Sequence, residues 1–70
     1  MVEKTIQLTG TSPNGVQEAI ELAIARAKVS LRGLRRARVR ELRMELNDGN
    51  IVHWVVDLDV TFEIREELHG

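Results

Sequence analysis

Asn47-Asp48-Gly49-Asn50-Ile51-Val52-His53-Trp54-Val55-Val56-Asp57-Leu58-Asp59-Val60-Thr61-Phe62-Glu63-Ile64 is the stretch that decides the fold. It opens on Asp-Gly between two alternating runs, the signature of a two-residue type I′ hairpin, whose central residues both need positive φ. After the turn, Val52, Trp54, Val56, Leu58, Val60, Phe62 and Ile64 point one way. Ile51, His53, Val55, Asp57, Asp59, Thr61 and Glu63 point the other. A period of two held this long predicts a strand well beyond the usual length of about five to six residues. Trp54, on the apolar side, is expected in the core rather than as a stacking platform.

Working back from the turn, about Leu34 to Leu46 reads as the hairpin's other strand, with a slip of phase. Ala37 and Val39 are odd, whereas Leu42, Met44 and Leu46 are even. A change of face without a turn residue predicts a bulge near Arg40-Glu41. Further back, Val16, Ala19, Ile20, Ala23, Ile24, Ala27 and Leu31 recur at spacings of three and four, one apolar stripe of a helix that starts within two residues of Asn14 and runs to about Leu31. Ser12 before Pro13, or Asn14 with Gln17, is its expected cap. Gly33 is its expected stop. Val2 to Thr9 alternates as a first strand, with Val2, Ile6 and Leu8 on one face and Glu3, Thr5, Gln7 and Thr9 on the other. The fold class is therefore α+β, in the order β-α-β-β, a three-stranded antiparallel sheet curled around one helix.

The 70 residues make one domain, 1–70, with 43% hydrophobic and 30% charged residues, a globular balance. No apolar run approaches the roughly 20 residues of a spanning helix, and Met1-Val2-Glu3-Lys4 does not read as a signal peptide. The absence of cysteine excludes disulfides and thiolate metal sites and suits a reducing, cytoplasmic setting. With one Phe, one Trp and no Tyr, the core must come from aliphatic residues. So small a core calls for help from oligomerisation. Eight of the ten Lys and Arg residues lie between Arg26 and Arg43, against Glu41 alone, while most acids lie elsewhere. That asymmetry predicts ion pairing of a basic second strand with an acidic third, or a surface for phosphates or nucleic acid.

Catalytic chemistry is sparse. Ser12, Ser30 and the threonines have no partner base in the sequence, His53 is the only histidine away from the terminus, and His69 lies in the tail. Gly10, Gly15 and Gly33 lack the spacing of a nucleotide loop. Asp57 and Asp59 share a strand face, about 7 Å apart, as candidate ligands for a hard cation or as partners for the arginines. The reading is a binder, not an enzyme.

Three stretches resemble the dodecin family. They are Leu8-Thr9-Gly10-Thr11-Ser12-Pro13, then Ala23-Ile24-Ala25-Arg26-Ala27 with Leu31-Arg32-Gly33-Leu34-Arg35, and Asp48-Gly49 through Phe62. The likeness runs from Val2 to about Ile64 in the same element order. It implies a hollow homododecamer built from trimers that stores or buffers a flavin, FMN or riboflavin. Flavin-binding dodecins carry a tryptophan, then a phenylalanine, at the start of the second strand, and the tryptophan stacks on the isoalloxazine. Here Arg36 and Ala37 stand at those positions. A glutamine that hydrogen-bonds the flavin edge is matched by Val55. The resemblance thus implies a ligand-contacting set of Arg35, Arg36, Arg43, His53 and Val55, with flavin binding weak or lost. Stacking of a base on an aromatic ring contributes roughly 1–3 kcal/mol, a loose scale for one flavin face, and two such losses take nanomolar binding to micromolar or weaker.

Family members that lack the tryptophan are linked to calcium, and Arg36-Ala37-Arg38-Val39 is similar to that branch. The alternative reading is accordingly a dodecin-like shell for calcium or phosphorylated small molecules, with Asp57 and Asp59, joined by Glu41 and Glu45, as the metal candidates. A third, a nucleic-acid-binding module through Arg32 to Arg43, is disfavoured because single-strand binders need exposed rings.

Overall fold

The computed structural model describes residues 1–65, so His69 lies outside the described residues. Strand β1 spans Val2–Ser12, helix α1 Val16–Ser30, strand β2 Leu34–Asn47 and strand β3 Asn50–Ile64. The three strands form one antiparallel sheet in the order β1-β3-β2. This is the expected β-α-β-β architecture, with the Asp-Gly strand at its centre.

The hairpin turn has the backbone its sequence requires, with φ of 54° at Asp48 and 78° at Gly49. The phase slip in β2 is a bulge. Val39 pairs with Leu58 and Glu41 with Asp57, which leaves Arg40 as the extra residue. Ala37, Val39, Leu42 and Met44 thereby all pair with the helix-facing residues of β3. Two further irregularities leave Arg35 unpaired in β2 and Val52 unpaired in β3, so Leu46 pairs with Ile51 rather than continuing the even series.

Helix α1 rests on one face of the sheet. Ala19 and Ala23 meet Val56, Leu58 and Val60, and Ile6, Leu8, Val16, Ile20, Ile24 and Leu34 pack around them. Small side chains on the helix allow a close approach, and Gly10 completes it. A Cβ at Gly10 would stand 2.1 Å from the Ala19 carbonyl oxygen and 3.0 Å from the Ala23 Cβ. Gly10 is therefore a seat for the helix, and the strand, expected to span Val2 to Thr9, continues through Thr11 and Ser12, which pair with Val55 and Trp54.

Neither expected cap forms. The helix begins after Gly15, with no side-chain hydrogen bond capping its backbone N–H groups. The Ser12 hydroxyl accepts the Asn14 backbone N–H at 2.9 Å and donates to the Glu18 carboxylate, so it ties the junction to the helix from below. The other end behaves as expected: Leu31 N–H bonds the Ala27 carbonyl, and Gly33 takes a φ of 71°.

Trp54 departs from its expected place. It lies on the helix-facing side, opposite Met44 and Ser12, but is only half-buried and is not among the residues packed on the central cluster. Beyond that point Leu46, Ile51 and Val52 are exposed, as are Leu42 and Met44 on edge strand β2, and the molecule extends over 62 × 19 × 13 Å.

Candidate functional site

The face of the sheet away from the helix carries most of the charge, and its layout follows from the central place of β3. Each odd residue of β3 from Val55 to Thr61 is flanked by one residue from each edge strand. The rows read Thr5–Thr61–Arg36, Gln7–Asp59–Arg38, Thr9–Asp57–Glu41 and Thr11–Val55–Arg43. Flanking on both sides buries Thr61 and Val55, although the helix lies on the opposite face. Past the end of β1, His53 stands opposite Glu45.

Basic β2 answers the acids of β3 and β1 across this open face. Arg43 Nη1 donates to Asp57 Oδ2 at 2.6 Å and to Glu41 Oε2 at 2.7 Å, and Thr9 Oγ1 donates to Asp57 Oδ1 at 2.8 Å. Arg38 reaches Asp59 at 3.0 Å, and Arg40 approaches the same carboxylate at 3.7 Å. Arg35 pairs with Glu63 at 2.6 Å, and Arg36 crosses the central strand to Glu3 at 2.5 Å. His53 Nδ1 lies 3.4 Å from Glu45.

Hydrogen bonds to the ionised forms shift the titrations. The Arg43 and Thr9 donors hold Asp57 below the usual carboxylate range, against a smaller opposing effect of desolvation. Asp57, then Glu41, raises the pKa of Arg43. Arg35 lowers Glu63 in the same way. At the strand–helix junction, Ser12 and Asn14 lower Glu18.

The structure brings some of the candidate residues together and separates others. Arg35 and Arg36 are neighbours at the start of β2, and Arg43 sits directly opposite Val55, with His53 two residues away on the same strand. Arg36 is opposite Thr61, six residues along β3 from Val55, or about 20 Å. A single flat ring cannot therefore touch both Arg36 and Val55 of one subunit. Asp57 and Asp59 share the open face, each already facing an arginine, and among the described residues no group of three or more His, Asp or Glu is placed to hold a metal.

Sequence reasoning missed Glu3, Thr5 and Thr61 as neighbours of Arg36. Their parity was legible, but their proximity depends on β3 lying between β1 and β2. A depression of about 250 Å³ is lined by Thr5, Arg36, Arg38, Asp59 and Thr61.

A β-α-β-β chain with one helix lying in a three-stranded sheet and a charged open face defines a narrow class of small proteins. The comparisons agree on which. The dodecin family model matches residues 2–65. The chain is 37% identical over 65 residues to the dodecin of Thermus thermophilus, across 93% of this chain and 94% of that protein. It is 34% identical over 64 residues to the calcium dodecin of Mycobacterium tuberculosis, across 91% and 90%. The solved structure of the dodecin from Streptomyces davaonensis superposes with a TM-score of 0.88 at 42% identity, covering 93% of this chain and 96% of that one. The chain belongs to the dodecin family. Membership places it among small binding proteins rather than enzymes.

Proposed function

We propose that this protein is a small-ligand storage protein assembled as a hollow homododecamer built from trimers, in which binding of FMN or riboflavin is weak or lost. Its whole length, 1–70, acts as one domain, and the cysteine-free chain suits the cytoplasm. The observation that carries this reading is the state of Arg36. It stands where flavin-binding relatives have a stacking tryptophan, and its guanidinium is engaged by Glu3. Val55, at the glutamine position, is buried and has no polar side-chain atom to offer a flavin edge. Arg35, Arg43 and His53 remain as polar ligand contacts around these two. A subunit with an uncovered apolar hairpin supports the assembly.

Flavin fluorescence titration tests it. Arg36→Trp combined with Val55→Gln should raise flavin affinity by at least about tenfold, equivalent to roughly 1.4 kcal/mol. Unchanged affinity, or tight flavin binding by the unmodified protein, would sink the reading.

The kinship with a calcium dodecin favours a second reading, a shell that takes calcium or phosphorylated small molecules. For calcium the ligands would be Asp57 and Asp59, with Glu41 and Glu45 beside them. Calcium would then have to displace Arg43 and Arg38, so the expected sign is a calcium-dependent rise in Tm that Asp57→Asn with Asp59→Asn abolishes. Nucleic acid is the least supported partner, since much of the arginine charge is already answered by acids of the same chain.

A further inference from the structure

The depression on the open face gathers more donor capacity than its ion pairs consume. Two guanidiniums and two hydroxyls line it, with Asp59 as its single carboxylate. A guanidinium carries five N–H donors. Arg36 uses Nη2 on Glu3, and Arg38 uses Nη2 on Asp59. Both arginine side chains are open to solvent, 63% and 77% exposed. The hydroxyls of Thr5 and Thr61 are 2.8 Å apart and share one hydrogen bond, which occupies only one of their two hydrogens.

The charges also leave a surplus. Asp59 is answered twice, by Arg38 at 3.0 Å and by Arg40 at 3.7 Å. Glu3, reaching in from the opposite edge strand, answers Arg36. Three arginines thus face two carboxylates. Planar guanidinium forks match the spacing of phosphate oxygens, and two forks with nearby hydroxyls are the donor set that such a group selects. Asp59 keeps Arg40 as a second cation when Arg38 turns to an incoming anion, whereas Glu3 is paired with Arg36 alone among the described residues, so Glu3 is the anion's competitor.

We propose that Arg36 and Arg38 hold a phosphate-class anion in this depression, and that Glu3 is its tethered competitor, keeping the site closed until such an anion takes its place. The proposal rests on the reading in which Arg36 occupies a ligand-contacting position, and it names the phosphate group as the part of the ligand recognised there. Inorganic phosphate and the phosphate monoester of a larger molecule share this chemistry.

Isothermal titration of the assembled protein with inorganic phosphate is the test, on the unmodified chain, Glu3→Gln and Arg36→Gln. Glu3→Gln should bind phosphate at least about tenfold more tightly than the unmodified protein, and Arg36→Gln should lose the binding. If Arg36→Gln fails to assemble, Arg38→Gln reads the same contact. Equal affinities for the unmodified protein and Glu3→Gln would overturn the proposal, as would binding that survives loss of either arginine. A second arm compares FMN with riboflavin on Glu3→Gln. A preference for FMN supports recognition of the phosphate in a larger ligand; equal binding of the two overturns it for that source. Tight riboflavin binding by the unmodified protein would count against the weak-flavin reading and leave the phosphate titration to judge the anion site separately.

Discussion

The stretch of hairpin under the helix and the stretch beyond it are made of the same aliphatic residue types, yet they end in opposite states. Val56, Leu58 and Val60 are at most 1% exposed. Leu42 and Met44, on the same side of the sheet, are each 47% exposed. Hydrophobicity does not separate them; cover does, because Leu42 pairs with the buried Val56 yet lies on edge strand β2, whereas the helix lies over β1 and β3. Along the strands, length adds to this. A 15-residue helix spans about 22 Å, whereas a 15-residue strand spans about 50 Å. One helix therefore covers less than half of the central strand, and the rest of the apolar face is left for something outside the subunit. The radius of gyration agrees: 15.1 Å against about 11 Å for a compact chain of this size. The core under the helix is what one chain completes alone, and the distal hairpin is what the proposed assembly would complete.

The largest effect is expected where the covered region is tightest. Gly10→Val places a Cβ against the backbone carbonyl of Ala19, which cannot rotate away as a side chain can. The cost should reach about 3 kcal/mol or more, read as a collapse of the urea midpoint. A stable Gly10→Val protein would mean that the helix does not seat on β1 as described. Next comes a matched pair of truncations. Leu58→Ala, in the core, should cost about 2–5 kcal/mol and lower Tm by roughly 10 °C or more. Leu42→Ala should cost the subunit less than about 1 kcal/mol, being half exposed. Its effect should instead appear in native mass spectra as a shift from the assembled form to smaller species, with a Tm that depends on protein concentration. Equal costs at the two positions would break the comparison.

The smallest effect belongs to the open face. Asp57 and Glu63 titrate below their ordinary range, because arginines stabilise their charged forms. A folded pKa below the unfolded value stabilises the fold above the unfolded value, near pH 4, and that contribution disappears as pH falls through the folded pKa. Urea midpoints should thus be flat above about pH 5 and fall below it. Asp57→Asn should be modestly less stable than the unmodified protein at pH 7, with the two curves converging in acid. Curves that stay parallel would mean that the Arg43 contact contributes nothing, as is common for exposed pairs.

The elements of the fold were legible because local rules govern them. The period of two in β3, the Asp-Gly turn, the alanine-rich stripe of α1 and the phase slip at Arg40 each follow from covalent geometry and side-chain alternation within a few residues. The cap of α1 was not legible, since Ser12 looks like a capping residue but spends its hydroxyl on Glu18 and on the Asn14 N–H. Trp54 was misplaced for a related reason. Its parity points it at the helix side, but parity says nothing of how fully its neighbours cover it.

The candidate site divides along the same line. The excess of arginines in β2, the replacement of a ring-stacking residue by Arg36 and the apolar Val55 are plain in the residues themselves. That Arg36 meets Glu3, that Asp57 is shared by Thr9 and Arg43, and that Arg36 and Val55 stand about 20 Å apart are not. The chain by itself determined which residues alternate, where it turns and which charges each strand carries, because these depend on neighbours in sequence. Only the tertiary structure decided which edge strand faces which, because a central β3 brings β1 and β2 within one side chain's reach while placing them more than thirty positions apart along the chain, as for Glu3 and Arg36.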